Sequence, residues 1–255
     1  MKFIAIIPAR YASTRFPGKP LAMLGDITVI QRVYQQVSSV INNVAVATDD
    51  ERIFNHVTDW GGNAIMTSPR HRSGTDRCWE AYINNGGNED IIINVQGDEP
   101  FIHPDQIKSL MQCFNDEGTQ IATLVKPFDA QGDFSELENP NKVKVVINDN
   151  MNALYFSRSV IPFLRGVDKE LWPQKHQFYT HLGMYAYRSA ALEQITRLAP
   201  SSLEIAESLE QLRWLQNGMK IKVGITSHSS IGIDTPQDLE RAVEFLNKNN
   251  CNSCQ

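Results

Sequence analysis

Lys2-Phe3-Ile4-Ala5-Ile6-Ile7-Pro8 opens the chain and runs into Ala9-Arg10-Tyr11-Ala12-Ser13-Thr14-Arg15-Phe16-Pro17-Gly18-Lys19-Pro20. The first stretch is apolar, isoleucine-rich and too short for a core helix, which predicts a strand buried on both faces. The second is polar and ends in Gly-Lys-Pro, which predicts a loop leaving that strand's carboxyl end. Further strand-like runs follow at Val44 to Thr48, Ala64 to Thr67 and Asp90 to Gln96. Between them, Ile30, Val33, Tyr34, Val37 and Val40 recur at helical spacing within Ile27 to Val40, and Ile107, Leu110, Met111 and Phe114 do so within Pro104 to Glu117. This β-α-β-α order predicts an α/β fold with a mainly parallel sheet covered by helices on both faces.

The second half changes character. Ile121 to Phe128, Val143 to Asn148, Ala153 to Ser157 and Gly183 to Arg188 are strand-like without a helix between each pair, so antiparallel additions to the sheet are expected. Asp129 to Lys142 and Gly166 to Gln177 are polar or proline-bearing and read as loops. Leu203 to Asn217 reads as one helix with a core stripe through Ala206, Leu209 and Leu212. Lys220 to Thr226 reads as a strand and Pro236 to Lys248 as a final helix.

At 255 residues and 42% hydrophobic, the chain has enough apolar material for one domain over 1–250 without covalent staples. The four cysteines, Cys78, Cys113, Cys251 and Cys254, have no framework spacing, which points to a reducing, cytoplasmic setting. Cys251 and Cys254 follow a polar run, so 251–255 is expected to be a flexible tail. No long apolar stretch supports a signal peptide or membrane span. A net charge of −5 argues against nucleic acid or an anionic membrane as the main partner, so any anionic ligand must meet a local cluster of cations.

Arg10, Arg15 and Lys19 form such a cluster, placed where open α/β sheets bind ligands. With Gly18 its only glycine, the loop is neither a P-loop nor a dinucleotide fingerprint, and charge must do what a glycine-lined nest does elsewhere. By spacing alone it reads equally as a triphosphate site or as a solvated basic turn. Asp98 lies just past a strand in Gln96-Gly97-Asp98-Glu99-Pro100, and Asp234 lies in Gly232-Ile233-Asp234-Thr235-Pro236. Either acid suits magnesium beside phosphate, or serves as a turn or surface carboxylate. Thr235 and Pro236 already supply the cap and first turn of the last helix, leaving Asp234 outside it.

Pro8 to Leu21 resembles the opening signature of the CMP-KDO synthetase family, the cytidylyltransferases that activate 3-deoxy-manno-octulosonate (KDO). Tyr11-Ala12-Ser13 and Lys19-Pro20 separate it from the related CMP-sialate synthetases. Gln96 to Pro100, Gly232 to Pro236 and Ser73-Gly74-Thr75-Asp76-Arg77 also resemble family segments, in the same order along residues 4 to 240. The resemblance implies a Rossmann-like, GT-A-like nucleotidyltransferase fold and a magnesium-dependent transfer of CMP from CTP to KDO for lipopolysaccharide biosynthesis. It further implies a homodimer whose dimerisation and sugar-binding elements fall at about 130–215. Asp98 and Asp234 are then the metal ligands, and catalysis falls to them with Arg10 and Lys19. Pro8, Ala9, Arg10, Arg15, Lys19, Arg72, Ser73 and Gln96 are assigned to the nucleotide. Gln96, Arg158, His181, Tyr185, Glu210 and Gln211 are assigned to the sugar acid. The open alternatives are a cytidylyltransferase for sialic acid or 8-amino-KDO, and a non-catalytic nucleotide-sugar sensor.

Overall fold

The computed structural model describes residues 1–229 and 231–252, with side chains to Lys248. The chain forms two compact units, Met1–Ile107 with the C-terminal helix, and Lys108–Ser229. The stretch 130–215 lies within the second.

The first unit opens with β1 (Phe3–Ala9), a small hairpin β2 (Met23–Leu24) and β3 (Ile27–Thr28), and α1 (Val29–Ser38). β4 (Val44–Thr48), α2 (Glu51–Asp59), β5 (Ala64–Met66), α3 (Gly74–Asn84), β6 (Ile91–Asn94) and α4 (Pro104–Gln112) follow. All four main strands pair in parallel, β1 lying between β6 and β4 with β5 beyond β4. Ile4, Ile6 and Ile7 are fully buried, which is why β1 is apolar on successive residues rather than alternating. The helix expected from Ile27 starts two residues later, because Thr28 Oγ1 accepts the backbone N–H of Gln31 as an N-cap and Ile27 pairs in the hairpin.

In the second unit come β7 (Ile121–Pro127), α5 (Phe134–Glu138), β8 (Lys144–Ile147), β9 (Ala153–Ser157) and α6 (Trp172–Lys175). β10 (Tyr179–Arg188), α7 (Ser189–Thr196), α8 (Ser202–Glu207), α9 (Gln211–Gln216) and β11 (Ile221–Ile225) complete it. β10 is antiparallel to β7, β9 is antiparallel to β8, and β11 runs parallel to β7. Three expectations are corrected. The segments read as loops contain α5 and α6, whose Phe134 and Trp172 pack edge to face at 5.5 Å in a core cluster with Leu137 and Phe178. The single helix over Leu203 to Asn217 is two helices, broken where Ser208 adopts a left-handed conformation with φ of 52°. That break turns Ala206 to solvent and buries Gln211 beside Leu209 and Leu212.

The last helix, α10 (Pro236–Asn252), belongs to the first unit. Its Ala242 packs with Leu24, Val29 and Ile233, and Phe245 meets Phe101 edge to face at 4.8 Å. Full burial of an isoleucine such as Ile233 contributes roughly 1.5–3 kcal/mol. It also anchors the residue next to Asp234. Of the tail expected over 251–255, Cys251 and Asn252 fall within α10 instead, because the helix runs on past its last polar run, and 253–255, with Cys254, lie outside the described residues.

Candidate active site

Along the first unit's sheet the chain steps from β1 outward through β4 to β5, then returns to place β6 on the other side of β1. The crevice beyond the carboxyl ends of β1 and β6 is therefore a topological switch point, where α/β sheets of this kind bind ligands. The basic loop leaves β1 there, and Gln96-Gly97-Asp98 leaves β6 beside it. A cleft of about 410 Å³ is lined by Pro8, Arg10, Arg15, Lys19, Arg72, Gln96 and Asp98, together with Ser13 and Gly74.

Three hydrogen bonds and one cap fix the geometry of the acids. The Ile233 backbone N–H donates to the Asp98 carbonyl at 2.9 Å, tying the segment before α10 to the turn after β6. Thr235 Oγ1 accepts the Asp238 N–H at 3.2 Å while the Asp238 carboxylate accepts the Asp234 and Thr235 N–H groups at 3.1 and 2.9 Å. The expected cap is thus in place, and the Asp234 side chain stays outside it. Lys19 Nζ donates to Asp98 Oδ2 at 2.6 Å and to Asp234 Oδ1 at 3.3 Å, so both acids reach one nitrogen. Arg15 meets the other Asp234 oxygen at 3.2 Å, with a side chain that is 65% exposed against 12% for Lys19. Such an exposed pair contributes little to stability.

The opposite wall is the loop after β5. Arg10 Nη2 donates to the His71 carbonyl, and the His71 ring pairs with Glu80, which also accepts the Ser68 N–H at 3.0 Å. Ser73 Oγ accepts the Asp76 N–H at 3.1 Å and so starts α3 beneath Arg72. One residue missed as a site element is Arg77, fully buried, with Nη2 3.1 Å from Asp49 and Nη1 donating to Thr67 Oγ1 at 2.6 Å. Burial lowers the pKa of its guanidinium, opposed by Asp49. It joins the ends of β4 and β5 through Asp49 and Thr67. Its only sequence signal was its place in Ser-Gly-Thr-Asp-Arg.

The sugar-assigned residues of the second unit divide into two groups. Tyr185 and Tyr187 stack at 6.0 Å, and each meets Trp214 edge to face, at 5.0 and 5.6 Å. His181 lies 5.3 Å from Tyr185, and its Nε2 is 2.9 Å from Thr123 Oγ1. Because Thr123 Oγ1 donates to the Met184 carbonyl at 2.9 Å, it accepts from His181, which assigns the ring proton to Nε2. Burial, with the negative charge of Glu210 behind it, raises the Tyr185 phenol, placing Glu210 at the same cluster. Gln211 is buried in the first turn of α9. Arg213 donates through Nε to Glu204 at 2.7 Å and also pairs with Glu210, more distantly, at 3.9 Å.

Arg158 stands apart from that cluster. Its guanidinium donates to the carbonyls of Glu207 at 2.7 Å, Pro140 at 3.0 Å and Ser208 at 3.3 Å. The Glu207 carboxylate returns to Ser157 Oγ at 2.6 Å and the Arg158 N–H at 2.9 Å. These bonds clamp the left-handed break that sets the start of α9.

Burial lowers the His181 pKa to about 3. The unfolded ring takes its proton near pH 6.5 and the folded ring only near 3, so the unfolded chain binds more protons between those values. Stability contributed by neutral His181 is therefore present above pH 6.5 and is lost as pH falls toward 3. Urea titrations at pH 7 and pH 5 should show this loss, and His181→Gln should reduce the difference. Equal pH dependence in the two proteins would remove His181 as its source.

A family model described as cytidylyltransferase matches residues 4–221. A 3-deoxy-manno-octulosonate cytidylyltransferase of Bacteroides thetaiotaomicron is 63% identical over 246 residues, covering 96% of this chain and 98% of the relative. That of Parabacteroides distasonis is 62% identical over 247 residues, with the same shares covered. The chain belongs to the 3-deoxy-manno-octulosonate cytidylyltransferase family. A solved structure of CMP:2-keto-3-deoxy-manno-octonic acid synthetase complexed with CTP superposes with a TM-score of 0.89 at 40% identity, covering 98% of this chain and all of that one. The α/β fold read from the strand and helix order, and the Rossmann-like nucleotidyltransferase form that the resemblance implied, are therefore those of this cytidylyltransferase. No helix among its described residues is long and apolar enough to cross a membrane.

Proposed function

We infer that the protein transfers CMP from CTP to the anomeric hydroxyl of KDO, giving CMP-KDO and pyrophosphate for lipopolysaccharide assembly. The observation that carries the mechanism is the convergence of Asp98 and Asp234 on one ammonium group, in a cleft walled by Arg10 and Arg72. The sugar oxygen forms its bond to the α-phosphorus while the bond from that phosphorus to the bridging oxygen breaks, and the hydroxyl proton leaves to solvent. Pyrophosphate departs with the bond's electrons. Arg10, Arg15 and Lys19 offset the charge that gathers on it, and Arg72 and Ser73 hold the nucleotide. Pro8 and Ala9 end β1 against it, and Gln96 has both donor and acceptor groups for either substrate. On the sugar, His181, Tyr185, Glu210 and Gln211 supply hydroxyl contacts, with neutral His181 offering Nδ1 as an acceptor because its one ring proton goes to Thr123. Arg158 shapes their backbone rather than meeting the carboxylate directly.

Two carboxylates, with Arg10 and Arg72 lining the cleft to hold a triphosphate and no Cys or His among the described residues that line it, are a donor set that fits magnesium. Held by Asp98 and Asp234, the ion would polarise the α-phosphate and acidify the sugar hydroxyl. The homodimer is proposed on the exposed apolar side chains Leu154, Phe163 and Ile205 of the second unit. The free thiols of Cys78 and Cys113 suit the cytoplasm.

A coupled pyrophosphate assay with CTP and magnesium tests the assignment. Release with KDO well above that with sialic acid or 8-amino-KDO is expected. Release with one of the others and none with KDO would reassign the sugar, and tight binding of both substrates without release would mark a sensor.

A further inference from the structure

We propose that Lys19 is a positioning residue for the metal-binding acids: its ammonium holds Asp98 and Asp234 together in the place a shared divalent cation takes, and the nucleotide's phosphates draw it away as the cation enters. This rests on the assignment of those two acids as the metal's ligands. It assigns Lys19 two successive partners, where a phosphate contact alone assigns one.

The contact is built into the loop. Gly18 takes a left-handed φ of 72°, where an added Cβ would come within 3.1 Å of the Tyr11 ring, and Lys19 begins a one-turn helix whose Pro20 is buried. The stem of Lys19 is thereby held while its flexible end reaches 2.6 and 3.3 Å from the two carboxylates. Those two oxygens can be no farther apart than the sum of these distances, so two like charges face each other and a cation between them offsets their repulsion. A divalent ion bound to both would lie in contact with the ammonium, so the two cations exclude each other. A lysine is suited to the exchange, since it is a point charge on a mobile four-carbon stem rather than a rigid fork. Arg10 and Arg72 line the same cleft and mark where the phosphates would receive it.

The consequence is an order of binding. Before nucleotide arrives, the acids are already neutralised in part and bind a free divalent cation weakly. Afterwards the triphosphate takes the ammonium and the acids become available. A site lacking this device would take up the metal first.

Mn2+ alone is the probe, with free Mn2+ followed by its electron paramagnetic resonance signal in the purified full chain without nucleotide. Lys19→Met is expected to bind at least about tenfold more tightly than wild type, a change that the removal of one competing cation accounts for. Adding Asp98→Asn to that variant should return binding to the weak level, and Lys19→Arg should stay weak. Should Lys19→Met not fold, Lys19→Gln, neutral and still hydrogen-bonding, takes its place. Equal Mn2+ affinity in wild type and the neutral variants overturns the proposal, and so does weaker binding in them. Pyrophosphate release by wild type with CTP and KDO is measured separately, so a failure of the KDO assignment appears there without altering the Mn2+ result.

Discussion

Asp98→Asn is expected to lower kcat by roughly a thousandfold or more while leaving the thermal midpoint nearly unchanged, in line with removing a ligand from a metal that stabilises the transferring phosphoryl group. Asparagine has the same shape and keeps an oxygen to accept from Lys19, which donates to this side chain at 2.6 Å. The main-chain bond from Ile233 to the residue 98 carbonyl is also untouched, so Asp234 stays where it is. What is lost is one of the two negative charges. Pyrophosphate release and thermal melts on the same preparation separate the effects. Activity near that of wild type in a folded Asp98→Asn protein would remove this residue from the metal's ligands. Loss of folding would show instead that the Lys19 pair has a larger structural share than its partly exposed setting implies.

The strands were legible because their signal is local. β4 and β6 are buried at every residue and β1 at five of its seven, and a buried parallel strand is apolar on successive positions, so a short isoleucine- or valine-rich run identifies it without reference to its neighbours. The short helices were not legible for the converse reason. α5 and α6 span five and four residues, too few to show a helical period, and they persist because Phe134, Trp172 and Phe178 pack on one another. Nor does anything in Glu207-Ser208-Leu209 announce a helix break. Serine has no special claim to a left-handed backbone, and the conformation is held by Arg158, which lies 50 residues away in the chain.

The candidate site shows the same division. Residue types at strand ends pointed to cations after β1 and an acid after β6, and the resemblance gave both acids a common task. That Lys19 meets them both is a contact across 79 and 215 positions of chain, which spacing cannot express. Arg158 shows the converse, a role in the fold that its residue type did not announce. A cation in a segment similar to a sugar pocket invited a ligand contact, yet three of its five N–H donors, one on each nitrogen, go to backbone carbonyls. Only the folded neighbours distinguish a group that meets a ligand from one that shapes the wall behind it.

Gly97→Ala should impair both stability and turnover, and it isolates position from chemistry because no charged group is removed. A Cβ at residue 97 would lie 2.8 Å from the Pro8 carbonyl oxygen, a backbone atom of β1 that cannot rotate aside. The turn after β6 must therefore move, and with it Gln96 and Asp98. Overpacking of this kind costs about 1–3 kcal/mol. A displacement near 1 Å of a group that positions the reacting atoms lowers the rate by about a hundredfold. Gly232→Ala is the matched control: it sits two residues before Asp234, and an added Cβ there meets nothing within 4 Å. Its stability should stay within about 0.5 kcal/mol of wild type, as surface changes generally do. Should Gly97→Ala behave like Gly232→Ala in melts and in pyrophosphate release, the close approach of the β6 turn to β1 is not what holds Asp98 in register. The acid would then owe its place to Lys19 and the Ile233 bond alone, and weakening those contacts should displace it.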